Sequence, residues 1–269
     1  MLKDITLGQY FPGNSPIHRL DPRTKLILLV VYIVALFLAQ SWISYAVMLS
    51  FLLYTIKISK IPPKSIIRGM KPIVMILVFT GVLNLFFTRE GPELLNIGNV
   101  VIITSGGLTR AVFMMARILM LITGTFLLTY TTSPISLTDG LEALLNPLKK
   151  IGVPVHELSM MMCIALRFIP TLIEETDKIM SAQKARGADF ENGSLLDRAR
   201  ALIPILVPLF IGAFRRADEL ATAMECRCYQ GGEGRSKMKI LRYRLHDMKA
   251  FGMCGGILIL VCALAAMGL

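Results

Sequence analysis

The chain has 269 residues, 54% of them hydrophobic and only 17% charged, with 29 Lys and Arg against 18 Asp and Glu for a net charge of +11. A soluble domain carries about a quarter of its residues as charged side chains. Here the deficit is concentrated, because residues 26–56 contain no formal charge, a run longer than the roughly 20 residues that cross a bilayer. These figures exclude a disordered tail, a collagen and a disulfide-stapled secreted fold, and they describe an integral membrane protein.

The N-terminal stretch does not resemble a cleaved signal, since Asp4, Pro12, Pro16 and Asp21 interrupt it before the first apolar run. Apolar segments predict spans over about 25–40, 42–58, 72–88, 107–132 and 249–268. Gln40, Ser41 and Trp42 make the first turn, and Trp42 suits a membrane–water interface. The connection 57–71 holds Lys57, Lys60, Lys64, Arg68 and Lys71 and no acid, and Pro62-Pro63 is expected to break any helix there. The connection 89–104 holds Arg89, Glu90 and Glu93. The positive-inside rule then puts 57–71 in the cytoplasm and 89–104 outside, with the N-terminus inside. On that topology 4 bases in 1–25, 5 in 57–71 and 17 in 133–249 face the cytoplasm. Cations sorted by side of a lipid bilayer argue against nucleic acid as the partner.

Residues 133–245 differ from the rest, holding 13 of the 18 acids. Three helices fit them. The first covers about 137–150, with Thr138 or Asp139 as N-cap and Lys149-Lys150 at the negative end of the dipole. The second covers about 154–186, opened by Pro154, and the third about 195–229. Both long helices are apolar in the first half and charged in the second. Pro170, Pro204 and Pro208 inside them are expected to introduce kinks. The predicted fold is all-α: about five transmembrane helices, with a cytoplasmic or interfacial domain of two long amphipathic helices plus a short one. The divisions are 1–132 (transmembrane, about four spans), 133–245 (cytoplasmic) and 246–269 (C-terminal span).

The two long helices end alike. Asp177-Lys-Ile-Met-Ser-Ala-Gln-Lys-Ala-Arg186-Gly aligns without a gap on Asp218-Glu-Leu-Ala-Thr-Ala-Met-Glu-Cys-Arg227-Cys. Each arginine follows its aspartate by nine residues and sits between small residues, Ala185 and Gly187 in one case, Cys226 and Cys228 in the other. A lone arginine at a helix end answers the dipole, worth about 0.3–1 kcal/mol. Two in one register on adjoining helices point to a pair of guanidinium forks offered to two similar grooves.

Other motifs carry less. His156-Glu157 opens an HExxH-like string whose second histidine is missing, and Gly231-Gly-Glu-Gly-Arg-Ser-Lys fails the Walker spacing. Arg110 and Arg117 share a face of the fourth span, where a place near the membrane interface or pairing with helix-end carbonyls is favoured over a transport path. The five cysteines lack a CxxC pair and read as small apolar fillers. Met114-Met115 and Met160-Met161-Met162 suit either packing or a compliant protein-binding surface. A stand-alone secondary transporter is the alternative class, with Asn84, Thr123, Thr125 and Thr129 as polar groups, but the acid-free spans argue against ion coupling. An intramembrane enzyme would need a nucleophile and base at membrane depth, and none is evident.

The strings Ala185-Arg186-Gly187-Ala188-Asp189-Phe190, Arg215-Arg216-Ala217-Asp218-Glu219-Leu220 and Ala223-Met224-Glu225-Cys226-Arg227 resemble the transmembrane coupling subunit (T component) of energy-coupling factor transporters, related to the cobalt transport permeases. The strings His18-Arg19-Leu20-Asp21-Pro22-Arg23-Thr24-Lys25 and Leu166-Arg167-Phe168-Ile169-Pro170 are similar to two further signatures of that family. The likeness covers about 15–235. It departs at Cys226 and Cys228, where alanine, glycine or serine is commoner. The resemblance implies a multi-pass plasma-membrane protein that binds no cofactor itself. ATP and Mg sit on two partner ABC-type ATPases, and one or several interchangeable S components bind a vitamin or other micronutrient. It implies ATPase docking by Ala185, Arg186, Gly187, Cys226, Arg227 and Cys228. Met160, Met161, Met162, Leu206 and Phe210 are the expected platform for the S component.

Overall fold

The computed structural model describes residues 10–87, 93–97, 101–188, 190, 194–232 and 240–267. Arg89, Glu90, Asp189 and most of the loop after Gly232 lie outside the described residues. The helices are α1 (Pro22–Leu38), α2 (Trp42–Ser59), α3 (Pro63–Phe87), α4 (Ser105–Thr131), α5 (Pro134–Leu145), α6 (Val155–Ala185), α7 (Leu195–Cys226) and α8 (Leu245–Ala266). A 3₁₀ turn, Asn146–Ile151, follows α5. The fold is all-α with one addition, a short antiparallel hairpin between α3 and α4 made by β1 (Glu93–Ile97) and β2 (Val101–Thr104), with Ile97 opposite Val101.

Local chemistry sets the helix starts. Asp21 accepts from the Arg23 N–H at 3.0 Å and Pro22 takes the first turn of α1. Ser41 caps α2 through the Ser44 N–H, and Thr104 caps α4 through the Gly107 N–H at 3.1 Å. A full capping box opens α7, with Ser194 and Asp197 bonding each other's backbone N–H. Two expectations are corrected. Pro63 begins α3 instead of breaking it, so the basic residues Lys64, Arg68 and Lys71 are helical; proline lacks only an N–H that a first turn leaves unpaired anyway. The short helix starts earlier than Thr138, because Pro134 opens it and the Ser133 hydroxyl accepts from the Ser136 N–H. Pro147 then forces the chain from α into 3₁₀ geometry.

Among the described residues, five helices are long and apolar enough to cross a membrane: α2, α3, α4, α6 and α8. Four of them, α2, α3, α4 and α8, are predicted spans, and the fifth is α6, with 31 residues and an apolar first half. The predicted first span, α1, has 17 residues, at the short end of what crosses a bilayer.

The chain forms two compact units. One comprises Gly8–Gly140 with Leu241–Leu269, and the other contains Leu141–Ile240. The first is a bundle of α1, α2, α3, α4 and α8 around Tyr32, Ala35, Leu36, Tyr45, Met48, Leu52, Met120 and Val261. Close packing is explicit at Gly124, where a Cβ would lie 2.7 Å from the Tyr32 ring. The outward side chains of α3, such as Met75 and Phe79, are exposed and apolar, as a lipid-facing helix requires. In the second unit α6 and α7 pack on each other.

Candidate functional site

The two helix ends that repeat in sequence also repeat in geometry. Arg186 is the C-cap of α6, with φ −85° and ψ 2°, and Arg227 is the C-cap of α7, with φ −92° and ψ 13°. After Arg186 the Ala188 N–H reaches the Gln183 carbonyl at 3.0 Å and the Gly187 N–H the Lys184 carbonyl at 3.0 Å. After Arg227 the Tyr229 N–H reaches the Met224 carbonyl at 3.0 Å and the Cys228 N–H the Glu225 carbonyl at 2.8 Å. Both are the double bond of a Schellman end, which turns the chain sharply away from the helix axis. One turn earlier, Ser181 donates to the Asp177 carbonyl at 2.7 Å and Thr222 to the Asp218 carbonyl at 2.9 Å. The Ser–Thr correspondence is therefore a shared hydrogen bond.

Such an end needs a left-handed residue after the cap. Gly187 supplies it at φ +90°, with open space around it, while Cys228 adopts φ +57° despite its side chain. Ala185, Arg186, Gly187, Cys226, Arg227 and Cys228 are all exposed. Each guanidinium thus stands at the end of a helix that its own small neighbours leave uncovered. Reading the cysteines as fillers holds for buried Cys254 and fails for exposed Cys226 and Cys228. Their small size matters at the helix end, not in a core.

Further back, α6 and α7 are tied together. Arg216 Nη2 donates to Glu175 Oε2, with both side chains about three-quarters buried. Gly212 permits the approach, since a Cβ there would lie 3.2 Å from Glu175 Oε1. Beside the pair lies a largely apolar cleft of about 330 Å³. Phe168 and Leu172, which precede Glu175, line it together with Ala217, Leu220 and Met224, which follow Arg216. The two helices therefore run past each other in opposite directions from the ion pair, and their arginine ends lie on opposite sides of it. Glu175 and Arg216 are not among the residues expected from the sequence to act as a pair. The register of the repeat was the available signal.

Of the expected platform residues, Met161, Met162, Leu206 and Phe210 are exposed and Met160 is half-buried. The exposed four belong to two helical stripes, Leu158, Met161 and Met162 on α6, and Leu202, Leu206, Phe210 and Phe214 on α7; Met160 lies off the first. Phe210 and Phe214 stack with centroids 6.5 Å apart.

The other candidates resolve into structure. Arg117 donates to the Tyr45 hydroxyl at 2.9 Å and to the Ala39 carbonyl, at the end of α1, at 3.2 Å, as the helix-end reading expected. In the segment from His18 to Lys25, Asp21, Thr24 and Lys25 are buried. Asp21 N–H donates to Asp247 Oδ1 at 2.9 Å, and Lys25 Nζ donates to the Thr131 carbonyl at 2.8 Å and to Thr132 Oγ1 at 3.1 Å. His156 Nδ1 lies 3.1 Å from Glu142 Oε1, and no group of three or more metal-ligating side chains occurs among the described residues.

The chain matches the cobalt transport protein family, CbiQ, over residues 13–240. It is 56% identical over 250 residues to the energy-coupling factor transporter transmembrane protein EcfT of Thermosediminibacter oceani, covering 93% of this chain and 94% of that one. The protein of the same name from Clostridium kluyveri is 54% identical over 262 residues, 97% of this chain and 96% of that one. The one from Bacillus subtilis is 50% identical over 241 residues, 90% and 91% of the two chains.

Proposed function

The chain belongs to the cobalt transport protein (CbiQ) family, that of the T components of energy-coupling factor transporters, and on that premise we propose that it couples two ABC-type ATPases to an S component in the plasma membrane. The observation that carries this reading is the pair of equivalent, exposed arginine caps at Arg186 and Arg227. Two similar ends suit two similar partners. The arginine fork, flanked by Ala185 and Gly187 or by Cys226 and Cys228, enters a groove on each ATPase and grips carboxylates or carbonyls there.

ATP binding on the partners, with Mg, draws the two grooves together. Arg186 and Arg227 carry that motion into α6 and α7. A helix capped by a double hydrogen bond resists fraying, so displacement at its end reaches its apolar half. There the stripes holding Met161, Met162, Leu206 and Phe210, with Met160 behind them, form the platform on which the S component sits and tips. The chain itself catalyses nothing and needs no cofactor of its own. Its N-terminus faces the cytoplasm, in keeping with the basic residues of 57–71.

Affinity purification of the tagged chain from its host in mild detergent, followed by mass spectrometry, tests the assembly. Two ABC ATPases in near-equal amounts with one or several small hydrophobic proteins is the expected result. The Arg186→Ala, Arg227→Ala double variant should lose the ATPases. If it retains them and supports uptake, the docking role is wrong.

A further inference from the structure

The Glu175–Arg216 pair spans 41 residues, and so does the interval from Arg186 to Arg227. In the gap-free alignment of the two helix ends, Glu175 and Arg216 are therefore equivalent positions, and they touch. When two similar elements pack about a twofold axis, contacts between equivalent residues lie on that axis. The ion pair thus marks a local pseudo-twofold between α6 and α7. From it, 11 residues lead to Arg186 and 11 lead to Arg227, about 16 Å of helix in each case.

From this geometry we infer that Glu175 and Arg216 are positioning residues forming the pivot of two equal lever arms, and that their task is to hold register. The inference rests on the coupling reading above. Apolar ridges between helices offer several neighbouring registers of similar energy, and the cleft lined by Ala213, Ala217 and Ala221 beside the pair leaves room to slip. A charge-assisted hydrogen bond is directional and has one register, and polar pairs between helices act best as such pins. Gly212 lets the carboxylate approach the α7 backbone, since a Cβ there would lie 3.2 Å from Glu175 Oε1. Rotation about it preserves both arm lengths, whereas slip by one turn would lengthen one arm and shorten the other.

The test uses the full chain in lipid nanodiscs, with its five cysteines replaced by serine and spin labels at Ala182 and Ala223. These are exposed, equivalent positions near the two ends. The unaltered pair should give one narrow distance. Glu175→Arg or Arg216→Glu alone should add a second population displaced by about 5 Å, one helical turn. The double exchange should restore the single distance. Where a reversed variant fails to fold, Glu175→Leu carries the same expectation. In the complex with its ATPases, Mg-ATP should shift the distance as one population in the parent and in the double exchange only. A single narrow distance in every variant, or no rescue by the exchange, overturns the pivot. The nanodisc measurement needs no partner, so its failure leaves the coupling reading standing. Loss of ATPase capture would sink that reading without touching the register result.

Discussion

Glu175 of α6 accepts a hydrogen bond from Arg216 of α7 across an interval of 41 residues, the same interval that separates the two arginine caps. An internal likeness in sequence has thus become a contact between equivalents. Both side chains are about three-quarters buried, so neither is cheaply left alone. Glu175→Ala should lower stability by about 1–3 kcal/mol by stranding the guanidinium, and Glu175→Ala with Arg216→Ala by less than the sum of the singles. A double-mutant cycle in urea or by thermal melting measures the difference.

The left-handed residue that follows each arginine differs between the two ends, glycine at 187 against cysteine at 228. Gly187→Ala should loosen the α6 end by about 1 kcal/mol, since space is open around it and only the backbone conformation resists. Cys228→Gly should tighten the α7 end by a similar or smaller amount. Hydrogen exchange at the Ala188 and Tyr229 amides reads both changes, with about fivefold faster exchange expected in the first.

Asp247 is 1% exposed and accepts from two backbone donors, the Asp21 N–H at 2.9 Å and the Arg244 N–H at 2.7 Å. Asp247→Ala strands both and should cost about 3 kcal/mol. Asp247→Asn keeps an acceptor for one of them and should cost less. The thermal midpoint of the purified protein orders the three chains.

Arg117 ties α4 to the Ala39 carbonyl and the Tyr45 hydroxyl and lies over the Phe37 ring at 5.5 Å. Arg117→Met should cost about 2 kcal/mol by leaving a buried carbonyl unpaired. Arg117→Lys should recover part of it, because an ammonium lacks the fork that serves both partners. If Arg117→Met instead altered solute movement at unchanged stability, the transport-path reading would regain force.

His18 gives a pH dependence. Its Nε2 faces the Phe11 carbonyl at 3.0 Å and so carries the hydrogen, leaving Nδ1 to accept from the Ser15 hydroxyl at 2.6 Å. Burial, helped by the nearby Lys25 charge and opposed by the Phe11 bond, holds the ring's pKa below 6.5. The unfolded chain therefore protonates first on acidification. The contribution is complete above about pH 6.5 and is lost as pH falls below it. The melting midpoint should drop more between pH 7.5 and 5.5 in the parent than in His18→Gln.

Much of this protein was determined by the sequence alone. Charge-free runs specified which segments are apolar helices, because a backbone in lipid must satisfy itself. The starts of α6 and α7 were legible to within a residue, predicted at about 154 and 195 and found at Val155 and Leu195. The paired caps were legible too, since a C-cap is a local motif and the repeat preserved its residue sizes. Tertiary structure decided the rest. Pro63 can break a helix or begin one, and the structure has it begin α3. Above all, the meeting of Glu175 with Arg216 required α6 and α7 to cross at equivalent positions. Such a contact is fixed by which helix faces pack, and no pattern within either helix encodes its partner.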